Sequence, residues 1–498
     1  MSFTSMAYLL FVLVGVLLYY IVPKKIQWIL LLSFSIVFYL LAGPFLILFL
    51  LTTAFSTFIS GILIEKTENI SRKKAVIFLC LLLNFGILFF LKYYNFSVEI
   101  VSQIFNFESK FIDFALPLGI SFYTFQSVSY LIDVYWERTS TEHNFAKYLL
   151  FVSFFPQILQ GPIGRYSKLS PQFFEEHYFD IDRIRNGLVR IFWGYFQKFV
   201  LADRAGIPVN QVISNYSEYD GATTVLAILM YSIQLYGDFA GGMDVVIGTA
   251  ELFDIKLDEN FRQPYFAVSI VDFWHRWHIT LGTWMKDYVF YALSLSKPFR
   301  KLGSKTRKKF GRRTGMAIPV ALCNIIVFLV VGVWHGAGGK YLIYGLFNGL
   351  IIAIAELLGD KNRSILKKAG LSEESVGIRI YRVILTFILV NFSWYFDVAT
   401  DLKCSFGMLR NTFCNFQASS IVNGSFMNLG LADKDYFALA AGCIVLFTVS
   451  IIREKGFNIR EKISEMPLVI RWGLYLMLFF GVALLGKYTN GGFIYAQF

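Results

Sequence analysis

Charge is scarce in this sequence. Asp, Glu, Lys and Arg make up 16% of its 498 residues, against about 25% in soluble globular proteins. That deficit excludes a disordered chain, a soluble enzyme and a conventional nucleic-acid binder, even with a formal net charge of +12. Cysteine is scarce too. The five (80, 323, 404, 414 and 443) form no CxxC pair and no metal spacing, so they read as buried small hydrophobes. Three catalytic signatures are missing. No G-x-S-x-G occurs, which leaves a nucleophilic serine unsupported, and no HExxH occurs. Gly339-Lys340 is followed by Tyr341, and Trp334 holds the upstream glycine position, so there is no Walker A loop. Neither a solenoid-period repeat nor a duplication of halves is visible.

Apolar residues fill the space that charge leaves. Fifty-six percent of the chain is hydrophobic and 18% aromatic, with 53 Phe. About 20 apolar residues cross a bilayer core. Residues 26–64 hold no charged side chain, twice the length one span needs, with Gly43-Pro44 near the middle. They predict two helices joined by a tight turn. Ala7 to Val22 predicts a first span, retained because it lacks the basic start and small-residue cleavage site of a signal peptide. Further spans are expected at about 75–91, 116–134, 221–237, 316–334, 341–358, 379–396, 436–452 and 470–486.

Lys and Arg set the orientation. They gather at Lys24-Lys25, at Lys66 with Arg72 to Lys74, and in the run 297–313, KPFRKLGSKTRKKFGRR, which holds nine basic residues and no acidic one. Two more groups follow, Lys361, Arg363, Lys367 and Lys368, then Arg453, Lys455, Arg460 and Lys462. Connections 92–115 and 397–435 are poor in Lys and Arg. All five basic connections share the cytoplasmic side if both termini are outside. The 297–313 run reads as a solvated cytoplasmic loop, with a role for Arg312 or Arg313 near a phosphate-bearing donor as the alternative.

Residues 143–290 break the pattern. They are hydrophobic yet full of charge, proline and glycine, as in 155–173 and 236–266. Polar, irregular backbone survives at membrane depth only inside protein or along a wet cavity. Interfacial and re-entrant helices around a site are expected here. The chain divides into N-terminal spans (1–135), a core with the site (136–358) and C-terminal spans (359–498).

Five histidines are available. His143 and His177 sit in polar surroundings and read as structural loop residues. His335 directly follows an apolar run and precedes Gly336, Gly338 and Gly339. An ionisable group at that depth is a functional candidate, and the glycines predict a helix break that admits a ligand. Desolvation favours a neutral imidazole, suited to a general base. His275 and His278, three apart, are expected on one helix face beside Trp274 and Trp277. With His335 they would offer three nitrogen ligands to a metal, but no metal site is expected. Asp238, Asp244 and Asp272 read as structural partners of Arg276 or Arg262.

FWHRWHITLGTWMKDYVFY together with VGVWHGAGG resembles the paired signature of the membrane-bound O-acyltransferase (MBOAT) family, in its bacterial alginate O-acetylation branch. LPLGISFYTFQSVSYLIDVY, FPQILQGPIGRYSKLSPQF and YGDFAGGMDVVIGTAELFDIKLDENFRQPYF extend the resemblance over roughly residues 1–490. It implies an all-α polytopic membrane protein, a funnel of about 11–14 membrane helices with re-entrant segments around a central tunnel. It makes His335 catalytic and His278 the second motif histidine of the catalytic pair, lining the site and supporting it. Trp334, Trp277, Arg276, Asn260, Asp238 and Gly336 are implied as supporting or substrate-binding, with Arg262 in the same segment. Many relatives carry Arg-Arg where this chain has His275-Arg276, which weakens a charge-based role at 275.

The resemblance implies acyl transfer, acetyl first, from a cytoplasmic thioester to an exported polysaccharide or cell-wall glycan. No cofactor is bound; acyl-CoA or an acyl carrier protein's phosphopantetheine is the donor substrate. Membrane lipid surrounds the protein, and the acyl group passes directly or through an extracytoplasmic SGNH-type transferase. The location implied is the bacterial cytoplasmic membrane. Two alternatives stand: D-alanyl transfer to teichoic acid, and a lipid or glycan transporter with a histidine proton relay.

Overall fold

The computed structural model describes residues 1–108, 111, 112, 114, 116–488 and 492–494, without the side chains of 360–363 and 365. The side chains of Lys361 and Arg363 lie outside the described residues. Among the described residues the regular structure is helical, apart from one antiparallel bridge between Phe261 and Trp277.

Among the described residues eight helices are long and apolar enough to cross a membrane: Lys24–Ala42, Ile47–Lys66, Ile70–Phe105, Arg312–His335, Gly339–Gly359, Val376–Val398, Asp433–Glu454 and Leu468–Leu485. Met6–Ile21 is apolar but shorter, and its start is fixed by Ser5, whose side chain accepts from the Tyr8 N–H. The charge-free stretch splits at Gly43 as its sequence predicts, with the Leu46 N–H closing the turn on the Gly43 carbonyl. The expected spans at 116–134 and 221–237 are also helices, Ile120–Tyr135 and Gly221–Leu252, but 14 of the 16 residues of the first and 25 of the 32 of the second are buried in protein. The first lies in the interior, and so does the second from Leu235 to Ala250.

Three expectations are corrected. The span expected to end at 91 continues to Phe105 as one 36-residue helix, so Lys92 is inside a membrane helix and not in an external connection. The basic run is not a loop: Lys297–Phe310 is helical and leads through Gly311 into Arg312–His335. Segment 236–266 is regular as far as Leu252, because Gly221–Leu252 is one 32-residue helix.

That central helix is possible because its polar groups are paired. Asp244 accepts from Arg190 at 2.8 Å and from Gln197 at 2.8 Å. Asp238 accepts from Lys198 at 2.7 Å. Neither aspartate meets Arg262 or Arg276, while Asp272 does pair with Arg276, at 2.9 Å. The glycines serve close packing: a Cβ on Gly241 would stand 2.7 Å from the Gly194 carbonyl, and one on Gly248 would stand 2.8 Å from that of Gly187. Helix Ile181–Tyr195 therefore lies directly on the central helix.

His143 is exposed and faces Glu65 at 3.2 Å. His177 is buried with its Nδ1 on the Tyr19 hydroxyl, and burial lowers its pKa. Both are structural. Of the cysteines, 80, 323 and 404 are buried, 443 is half-buried and Cys414 is exposed, contrary to expectation.

Candidate active site

His335 is the last residue of helix Arg312–His335, and Gly336 ends the helix. A helix end leaves carbonyls without intrahelical partners. Here the neighbouring membrane helix supplies donors: the Lys92 ammonium donates to the Trp334 carbonyl at 2.6 Å, and the Tyr93 hydroxyl donates to that of Val333. Cationic Lys92 also suits the negative end of the helix dipole.

The glycine after His335 has a packing reason. A Cβ at Gly336 would run into the Tyr341 ring, and Tyr341 stacks on the His335 imidazole, with centroids 6.3 Å apart and planes at 17°. Tyr344 meets the imidazole edge-on at 5.3 Å. Gly336→Ala should therefore displace the Tyr341–His335 stack. A shift near 1 Å costs about 10²-fold in rate, so we expect acyl transfer to fall by that order with the thermal midpoint little changed. Transfer assays on membranes normalised for protein amount test this.

His278 is placed by a broken helix. Helix Ile270–Arg276 stops because Trp277 turns extended to bridge Phe261. His278 then takes a left-handed backbone, φ 47° and ψ 54°, a strained conformation common at functional sites. His275 and His278 are thus not on one helix face, correcting the spacing argument. The Ile279 N–H donates to the Asn260 carbonyl at 3.0 Å. Asn260 Oδ1 accepts from the Thr280 N–H and hydroxyl, each at 2.9 Å, and lies 3.4 Å from His278 Nδ1. Asn260 thereby fixes the loop that carries the histidine.

Both histidines are buried, and they line one cavity of about 340 Å³. Trp334 stands between them, its ring centroid 5.7 Å from that of His278 and 5.1 Å from that of His335. Lys92 and Lys340 act on His335 through space. The cavity also takes in Val331, Val327 and Asn324. These lie on successive turns back from His335, a run of about 16 Å along the helix. It therefore extends toward the end that carries the basic helix Lys297–Phe310. The indole N–H groups of Trp334 and Trp274 are buried and meet no acceptor among the described residues; of the two, Trp274 lines the cavity.

The supporting residues divide. Trp277, Asn260, Trp334 and Gly336 gather around the histidines. Arg276 turns away, binding Asp272 and, at 2.7 Å, Glu454, and it lines a different cavity. Asp238 is held in a buried ion pair and lines neither. Sequence reasoning missed Lys92, Asn324, Tyr341 and Tyr344. A lysine inside the apolar run 75–105 was the one signal that could have found the first. Among the described residues no three His, Cys, Asp or Glu side chains form a group able to hold a metal.

The pattern of the membrane-bound O-acyltransferase family matches residues 136–310. The chain is 30% identical over 456 residues to the probable alginate O-acetylase AlgI of Pseudomonas aeruginosa, covering 88% of this chain and 81% of that protein. This chain belongs to the MBOAT family. It is similar to the peptidoglycan O-acetyltransferase of Helicobacter pylori, 27% identical over 87% of this chain and 84% of that one. A teichoic acid D-alanyltransferase of Bacillus subtilis is 29% identical over 56% of this chain and 67% of its own. The protein is a multi-pass membrane O-acyltransferase of the AlgI-like kind.

Proposed function

We propose that the protein transfers an acetyl group from a cytoplasmic thioester to a hydroxyl on an extracytoplasmic polysaccharide or cell-wall glycan, directly or by way of an SGNH-type transferase. The observation that carries this reading is the shared cavity, which joins His278 and His335 and extends toward the basic face. On that reading the thioester, of acyl-CoA or a carrier protein, approaches along Asn324, Val327 and Val331. The acceptor hydroxyl reaches His335 from the Gly336–Lys340 side.

His335 takes the hydroxyl proton as the oxygen attacks the thioester carbonyl, and the thiolate leaves with a proton returned from the imidazole. A positioned base of this kind contributes about 10²–10⁴-fold. His278 and the Trp274 indole, which both line the cavity, are the donors we assign to the carbonyl oxygen as it gains charge. Acetyl is favoured over D-alanyl because the alginate O-acetylase of Pseudomonas aeruginosa and the peptidoglycan O-acetyltransferase of Helicobacter pylori align over 88% and 87% of the chain, and the D-alanyltransferase of Bacillus subtilis over 56%.

Sealed vesicles test the vectorial part. Labelled acetyl thioester, given as acetyl-CoA or acetyl-carrier protein, should label glycan only when supplied to the face bearing Lys297–Phe310. Labelling from the opposite face alone contradicts it, as does transfer of D-alanine in place of acetate.

A further inference from the structure

A second cavity, of about 920 Å³, lies on the other side of the hairpin that carries His278. Trp277 and His278 line the histidine cavity, while Arg262 and Arg276 of the same hairpin line this one. The two strands are tied by the Arg262 N–H donating to the Arg276 carbonyl at 2.9 Å.

The cavity has two unlike halves. One is an apolar slot between helices Asp433–Glu454 and Leu468–Leu485, walled by Val445, Val449, Leu478 and Gly481. The other is a mouth of five guanidiniums against three carboxylates. Those carboxylates are engaged: Arg190 holds Asp244 and Glu259, and Arg276 holds Glu454. Arg460 is bound to Glu251 at 2.7 Å. The guanidiniums of Arg262 and Arg453 make no hydrogen bond or ion pair among the described residues. Two uncommitted cations thus stand over a slot whose walls at Val445, Val449 and Leu478 are apolar, with the Tyr475 side chain the polar group that the helix of Leu478 adds to the lining.

We propose that this cavity binds an anionic phospholipid, its phosphate on Arg262 and Arg453 and an acyl chain in the slot between the last two membrane helices. Guanidinium matches a phosphate by paired hydrogen bonds. The Val445, Val449 and Leu478 walls suit a hydrocarbon chain better than a pantetheine arm, whose two amides would lose partners against them. A bare phosphate would leave the slot unused.

Native mass spectrometry of the full chain from equimolar phosphatidylglycerol and phosphatidylcholine tests the assignment. Wild type should retain phosphatidylglycerol in preference. Arg262→Gln/Arg453→Gln should lower that retention about tenfold or more, given roughly one kcal/mol per basic residue at an anionic lipid. Gly481→Leu is the charge-independent variant. A Cβ there meets no atom within 4 Å, so the longer side chain fills the slot without a clash at its base and should also lower retention. Equal retention of the two lipids, or unchanged retention in either variant, overturns the proposal. So does displacement of the lipid by inorganic phosphate alone, which makes this a free-phosphate site, or by acetyl-CoA, which makes it a donor site.

Discussion

Replacing His335 with alanine should lower acyl transfer by about 10²–10⁴-fold, the contribution of a positioned general base. The helix it ends should survive. Its last carbonyls are held by Lys92 and Tyr93 through the backbone of Trp334 and Val333, and those contacts do not involve the imidazole. The thermal midpoint should therefore move little while the rate collapses. His278→Ala should cost less, because the proposed mechanism has His278 support the reacting carbonyl and His335 take the proton. The double variant should be hardly slower than His335→Ala, since groups that act as a unit are not additive. Initial rates with purified single and double variants check this. Independent, additive losses would separate the two histidines into unrelated roles.

Lys198→Met should cost stability on the largest scale that a single change here can reach. The ammonium lies in a π-helical turn, Phe196–Ala202, and its side chain is 3% exposed. It bridges Asp203 at 2.8 Å and Asp238 at 2.7 Å, and it donates to the Gly492 carbonyl at 3.0 Å. Asp238 also accepts from the Ile494 N–H at 2.8 Å, so the pair anchors the last described residues of the chain against the central helix. Removing the cation leaves two buried carboxylates without it, a loss of about 3–5 kcal/mol. A double change, Lys198→Met with Asp238→Leu, should recover part of that loss, because one of the two stranded charges goes too, leaving Asp203. Thermal unfolding in detergent measures both. Acyl transfer per folded molecule should stay near wild type in the double variant, which places Asp238 in the scaffold and not in the active site. A rate loss with normal stability would return it there.

The long spans could be read from sequence because hydrocarbon imposes a length and a composition on any helix that crosses it. The Gly43 turn and the helix end at His335 were legible for a similar reason, since glycine marks where the local conformation must change. Lys92 shows the limit of that reasoning. A lysine after an apolar run reads as the end of a span, but here its charge is satisfied by the end of another helix 242 positions away. Helix Gly221–Leu252 is the same case twice over: the partners that let Asp238 and Asp244 sit inside it come from Ile181–Tyr195 and the turn after it. The histidine pair was found by motif, but its geometry was not. Spacing of three suggested one helix face, and the bridge from Trp277 to Phe261, 16 positions back, breaks the helix between them. Arg276 and Asp238 look like site residues in one dimension, and their spatial partners turn both away.

The most direct test of the account is to isolate cell-wall and exopolysaccharide fractions from wild-type, deletion and His335→Ala cells and to identify the ester-linked acids by mass. Loss of acetate from the same fraction in both mutants is the predicted result. It would name the acceptor and assign His335 together. Wild-type acetate in the His335→Ala cells, beside a deletion that lacks it, would contradict the central claim.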